Sequence, residues 1–262
     1  MNENFTLKTI TSLLIIITLF IGLTGYSDTL TVDVNDPNCG VSGDNLYCNI
    51  NNAIANAVDG DKIIVNPGMY FESIEISSSN GLRLEGIDLP LIIGMDGEGF
   101  GESNVLIVGS NNITIEGFNL APESTPIGVL LEDSEDILIK DNIINRNNFG
   151  ITNSFSFIGD GGGSALYNVQ ISGNDIKENL STGIYLENFF ELTIEKNVIK
   201  DNFGLDPESP PETGIELLNG FNARVNFNSI TGNGVGLSYS YPEDEEDEMV
   251  IPIPMEDGEG EP

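Results

Sequence analysis

Four stretches, "NIINRN" at Asn142–Asn147, "NDIKEN" at Asn174–Asn179, "NVIKDN" at Asn197–Asn202 and "NSITGN" at Asn228–Asn233, repeat one phrase: an isoleucine third in a hexamer that asparagine opens and closes. Five residues before each isoleucine ends an apolar pair with the two-residue period of a strand: Ile137/Ile139, Val169/Ile171, Leu192/Ile194 and Ala223/Val225. Ile113/Ile115 followed by Leu120 makes an earlier copy, with Phe118 where the first asparagine would stand. Each unit closes on a glycine-led apolar segment: "GVLL", "GITN", "GIYL", "GIEL", "GVGL". Successive units are 24, 32, 23 and 31 residues apart.

A repeat of roughly 23 residues, built of short alternating strands between Asn and Gly bends, predicts an all-β, right-handed, single-stranded parallel β-helix, one coil per unit. Asparagine suits a bend for two reasons. It tolerates left-handed backbone, and its amide can bond the equivalent amide one coil away, at a strand spacing of roughly 4.8 Å. A leucine-rich horseshoe shares the period and the asparagine ladder but needs Leu-rich helical or tight-turn backs, whereas here Ile and Val alternate with polar residues on both segments. Parity points Val129, Leu131, Ile137, Ile139, Val169, Ile171, Ile184, Leu186, Leu192, Ile194, Ile215, Leu217, Val225 and Leu237 into the core. Tyr167, Phe190 and Phe221, each two residues before a first strand, are expected to stack as an aromatic column beside the Asn174, Asn197 and Asn228 ladder.

Upstream, "INNAIANAVDGD" places Ile50, Ala53, Ile54 and Ala57 on one helical face, which predicts a short helix over about residues 50–58 covering the open end of the stack. The whole entry, "INNAIANAVDGDKIIVNPGMYFESIEI", resembles that of the right-handed parallel β-helix family, the pectate-lyase-like fold, over about residues 30–240. The resemblance implies the fold and little about activity, since that family hosts lyases, hydrolases, epimerases, adhesins and a copper-delivery group. The organisation expected is a signal segment over 1–27, an N-terminal segment with the capping helix over 28–60, the β-helix over 61–241 and a disordered acidic tail over 242–262.

The first 27 residues read as an export signal: Lys8, an apolar run from Leu13 to Leu23, then small residues at Gly25 and Ser27. An uncleaved anchor is the alternative, though the apolar run is short for a span. Export to the extracellular space or cell surface fits the only two cysteines, Cys39 and Cys48, placed to close a small disulfide loop. With 42 acidic and 9 basic residues the net charge is −33, so nucleic acid and anionic membranes are poor partners.

The chain has no histidine and no Arg-x-Lys, which sets it apart from the pectin-type glycosidases the resemblance brings to mind and removes Ser-His-Asp and Cys-His catalysis. A calcium-dependent polysaccharide lyase needs only carboxylates and a basic proton acceptor. Arg224 and Glu195 on neighbouring first strands are the nearest approach, and they read more simply as a salt bridge. "GEGFGE" and "GDGGGS" lack the Lys-Ser or Lys-Thr and helix of a phosphate loop and read as surface loops. Within the first, Asp96, Glu98 and Glu102 are candidate calcium ligands. Asn112 and Asn179 open glycosylation sequons.

The two long spacings insert residues within 155–167 and 203–213, bordering one face. Between them the outward second-strand residues are Thr152 and Ser154, Tyr185 and Glu187, Glu216 and Leu218. A tyrosine between carboxylates suits a sugar ring, so Tyr185, Glu187 and Glu216 are the candidate glycan-binding residues. Glu187 and Glu216 form the weak candidate acid/base pair of a histidine-free glycosidase. The expectation is a secreted or cell-surface module, carbohydrate-binding or structural, with a polysaccharide as partner and calcium as the one cofactor in view; the alternative is a polysaccharide-active enzyme.

Overall fold

The computed structural model describes residues 27–41, 44–94, 103–121, 127–153, 164–202 and 212–240. The expected signal segment up to residue 26, the candidate calcium ligands Asp96, Glu98 and Glu102, Ser154 and the expected acidic tail from 241 lie outside them.

The repeat folds as three parallel sheets wrapped around one core, one of nine strands (sheet A) and two of seven (sheets B and C), so that each of seven coils gives one strand to each sheet. One coil shows the plan: Leu166–Ser172 lies in sheet A, Asp175–Lys177 in sheet B and Ile184–Glu187 in sheet C. Each strand pairs with its counterpart one coil away in register, as Val169 with Leu192, Ile176 with Ile199 and Ile184 with Ile215. The sequence shows two strands per unit; the third, in sheet B, holds only one inward residue per coil. That residue is the recurring Ile144, Ile176 or Ile199, each fully buried.

Twelve of the fourteen residues expected in the core are buried. Val225 is half-buried and Leu237 is 40 % exposed, because the last described coil has a neighbour on one side only. In that coil the glycine equivalent to Gly128, Gly150, Gly183 and Gly214 is Gly236, not Gly234, which opens "GVGL". This glycine column allows close approach between coils: a Cβ on Gly150 would stand 2.3 Å from the carbonyl oxygen of Gly183.

Both asparagine columns are ladders. Asn142, Asn174, Asn197 and Asn228 pass Nδ2 to Oδ1 from coil to coil at 3.0–3.1 Å, and each Oδ1 also accepts the backbone N–H of the preceding rung. Asn147, Asn179, Asn202 and Asn233 form a second such ladder at 2.8–3.2 Å, extended upstream by Asn104. The left-handed backbone is not theirs. It belongs to the residue just before each: Asp141, Gly173, Lys196 and Phe227 in one column, Arg146, Glu178, Asp201 and Gly232 in the other. The asparagines are therefore selected by the ladder alone. Asn179 is fully buried within it, so its sequon is closed in the folded chain, while Asn112 stays exposed.

The aromatic column also forms, with Tyr167, Phe190 and Phe221 stacked at centroid distances of 5.3 Å. It stands at the start of the sheet A strands, not beside the asparagine ladder at their end. By two-residue parity Tyr167 would point inward with Val169. Asn168, at φ 51°, takes a left-handed step that turns Tyr167 outward, and Glu191 and Asn222 do likewise for Phe190 and Phe221.

At the N-terminal end, a strand the sequence reading did not separate, Thr29–Val32, extends sheet A, and the helix Ile50–Asn56 buries Ile50 and Ala53 over the core. Asn49 caps it, and the Glu72 carboxylate accepts the N–H groups of Ile50 and Asn51 at 2.8 and 3.0 Å. Tyr70, buried, donates its hydroxyl to Asn66 O at 2.9 Å. The Glu of the entry motif thus locks helix to coil, and the Tyr ties its strand to the preceding turn. Cys39 and Cys48 are disulfide-bonded, with Cα atoms 5.0 Å apart. Among the described residues no helix is long and apolar enough to cross a membrane.

Candidate functional site

The outer face of sheet C changes character along the stack. One outward column runs Leu106, Leu130, Thr152, Tyr185, Glu216 and Ser238, each in register with the next. Leu106 and Leu130 are covered, forming with Ile127 and Val108 a small apolar cluster outside the main core, and Thr152 is buried. From Tyr185 onward the column is polar and half-open. Thr152, expected on the outward face, therefore offers a ligand nothing.

Tyr185 and Glu216 occupy adjacent rungs, and Glu187 lies two residues along the Tyr185 strand. The Tyr185 ring packs edge-on against Phe149, with centroids 6.0 Å apart, and its hydroxyl donates to Glu187 Oε2 at 3.4 Å. Burial, then the negative charges of Glu187 and Glu216, push the phenol up to about 12, so it stays a proton donor at physiological pH. Glu216 has its carboxyl raised by burial and then by Glu212, which accepts a hydrogen bond from the Ser181 hydroxyl at 3.2 Å.

Glu187 differs from Glu216. It is 8 % exposed, and Asn153 grips its backbone from one coil earlier: Glu187 N donates to Asn153 Oδ1 at 2.9 Å, and Asn153 Nδ2 donates to Glu187 O at 2.7 Å. It holds the phenol through the Tyr185–Glu187 hydrogen bond, while Tyr185 and Glu216 are half-buried on the outer face of sheet C. Phe149, Asn153 and Glu212 were missed in the sequence. Asn153 ends "GITN", outside both asparagine columns, and only its place at a strand end gives it this task.

Arg224 and Glu195 do not meet. Register sets Arg224 against Thr193 and Glu195 against Asn226; Glu195 pairs with Lys196 at 3.0 Å, and Arg224 is exposed with no ion pair among the described residues. A different charged cluster lies across sheet A, where Glu116 joins Arg83 and Lys140. Among the described residues no three acidic or thiol groups are placed to hold a metal.

Similarity to solved structures is at the level of fold. An alanine mutant of a pectin methylesterase, solved in complex with hexasaccharide IV, shares 12 % identity at a TM-score of 0.52, covering 76 % of this chain and 66 % of that one. An alginate lyase from Paenibacillus sp. str. FPU-7 shares 13 % identity at 0.38, covering 82 % and 98 %. Pectin methylesterase PemA from Erwinia chrysanthemi shares 11 % at 0.35, covering 82 % and 81 %. No curated protein matches the sequence. The family described as the right handed beta helix region matches residues 80–244, and with three parallel sheets coiling around one core, the chain belongs to that family.

Proposed function

We propose that this protein is a secreted or cell-surface β-helix module that binds a polysaccharide along the open part of the outer face of sheet C. The observation that carries the reading is Tyr185. Its half-buried ring is braced by Phe149, its hydroxyl is held by Glu187, and Glu216 stands on the next rung, so an apolar edge and two acceptors, the phenol oxygen and the Glu216 carboxylate, lie side by side. The disulfide and the solved neighbours named for pectin and alginate enzymes support an extracellular glycan as partner.

The test is a glycan array on the full chain, with and without calcium, against Tyr185→Ala. Loss of the hits, by tenfold or more in affinity, at an unchanged unfolding midpoint is the expected result. A variant that binds every hit as tightly as the wild type places the site elsewhere.

One observation favours a second reading, a polysaccharide-active enzyme: the raised carboxyl of Glu216 is what a general acid requires. Glu187 and Glu216 would then be the acid/base pair, and Asp96, Glu98 and Glu102 would hold calcium in a lyase. Product release, or unsaturated-sugar absorbance that rises with calcium and vanishes in Glu216→Gln, distinguishes catalysis from binding.

A further inference from the structure

The aromatic column ends abruptly. Phe190 has a ring on both sides, but Tyr167 has one on one side only, and the next two rungs of the same column carry Glu135 and Asn111. On that open side lies a cavity of about 310 Å³ lined by Tyr167, Ala165, Asp133, Glu135, Asn111 and the Ser110/Ser134 turn. Its volume is at the small end of ligand pockets, which run from about 300 Å³. Tyr167 is 48 % exposed, although an aromatic ring gains most from burial.

The polar groups around this space are sorted by their existing bonds. The hydroxyls of Ser110 and Ser134 are buried and spent on carbonyls, those of Val108 and Glu132 among them, at 2.7–2.9 Å. Glu135 accepts the Asn111 amide on one carboxylate oxygen and keeps acceptor capacity on the other. Asp133 and Glu135 are exposed, and neither joins a salt bridge among the described residues. Among the described residues no basic side chain lines the cavity. What remains is an apolar ring face and carboxylates that can only accept.

We infer that this cavity is a second glycan subsite, separate from the Tyr185 face of sheet C, in which one uncharged, hydroxyl-rich pyranose packs against the exposed Tyr167 ring and donates hydroxyl protons to Asp133 and Glu135. The ring offers the apolar face of a sugar a partner, and the carboxylates take its rim of hydroxyls. The same carboxylates repel a uronic acid, so the subsite selects neutral glycans over polyuronates. The inference rests on the proposed function for its ligand class alone, and on different residues.

The experiment is calorimetric titration of the full chain with cello-, manno- and xylohexaose and with hexagalacturonate. Tyr167→Ala is compared with Phe221→Ala, which removes the same single ring contact at the far end of the column without touching the cavity. We expect one or more neutral hexasaccharides to bind, hexagalacturonate to bind at least tenfold more weakly, and Tyr167→Ala to weaken neutral binding tenfold or more while Phe221→Ala leaves it within twofold. Equal losses in Tyr167→Ala and Phe221→Ala, a preference for the uronate, or no neutral binding by the wild type each overturn the subsite. Binding that disappears in Tyr185→Ala and survives in Tyr167→Ala overturns it while leaving the sheet C groove standing.

Discussion

Glu216 and Glu116 are both strand glutamates with outward side chains, and their surroundings drive them in opposite directions. Burial and then the Glu212 charge raise Glu216 above its ordinary value of 4.5. Burial also presses Glu116 upward, but hydrogen bonds and charge from Lys140 and Arg83 outweigh it, and the net shift is downward. The consequences for stability are opposite. Glu216 binds its proton more tightly folded than unfolded, so its contribution is full below 4.5 and is lost as pH rises through the raised value. Glu116 contributes fully above 4.5 and loses that contribution as pH falls through its lowered value. Glu216→Gln is expected to raise the unfolding midpoint at pH 7 and leave it unchanged in acid, whereas Glu116→Gln lowers it at pH 7 and converges with wild type in acid. Thermal unfolding across pH checks both, and parallel pH profiles for the two variants would contradict the assignment. Neither direction is legible in sequence, because Arg83 and Lys140 meet Glu116 only when coils stack, and the burial that leads the shift of Glu216 is set by the folded stack.

At the scale of the element, the ladders were legible because their spacing is the repeat itself. The bends were not, because the left-handed residues are as varied as Asp141, Lys196 and Phe227 and share no side-chain chemistry. The same blindness hid which way Tyr167 points and which end of sheet A carries the aromatic column. Asn197 shows how much one rung holds. Its amide donates to Ile171 O at 2.9 Å and to Asn228 Oδ1 at 3.0 Å, and its oxygen accepts from both the backbone and the side chain of Asn174. Asn197→Ala leaves buried donors and acceptors unmatched and is expected to cost about 3 kcal/mol. Asn228, half-buried in the last described coil, should cost about half as much on the same substitution. Chemical denaturation of the pair measures the difference, and an unchanged midpoint for Asn197→Ala would mean the amides contribute nothing net.

For the whole molecule, a stack of coils is nearly one-dimensional, so the stability of each coil depends on its two neighbours. The N-terminal end is closed by the helix Ile50–Asn56, with Ile50 and Ala53 fully buried. At the other end the inward column is exposed: Ile184 and Ile215 are both 0 % exposed, while Leu237, in the same register, is 40 % exposed. Val235 and Ile230 follow the same trend. A side chain that has lost its next rung gives back less when truncated, because part of its surface was never removed from water and the space it vacates is open to solvent. Leu186→Ala is therefore expected to cost about 3 kcal/mol and Leu237→Ala about 1 kcal/mol or less. Amide exchange should be slowest in Leu166–Ser172 and Phe189–Glu195, at mid-stack, and fastest among these coils in Ser229–Thr231 and Val235–Ser240. Equal costs for the two leucines, with exchange at Val235–Ser240 as slow as at mid-stack, would show that the last coil is covered by chain or partner and that the open end is not open in solution.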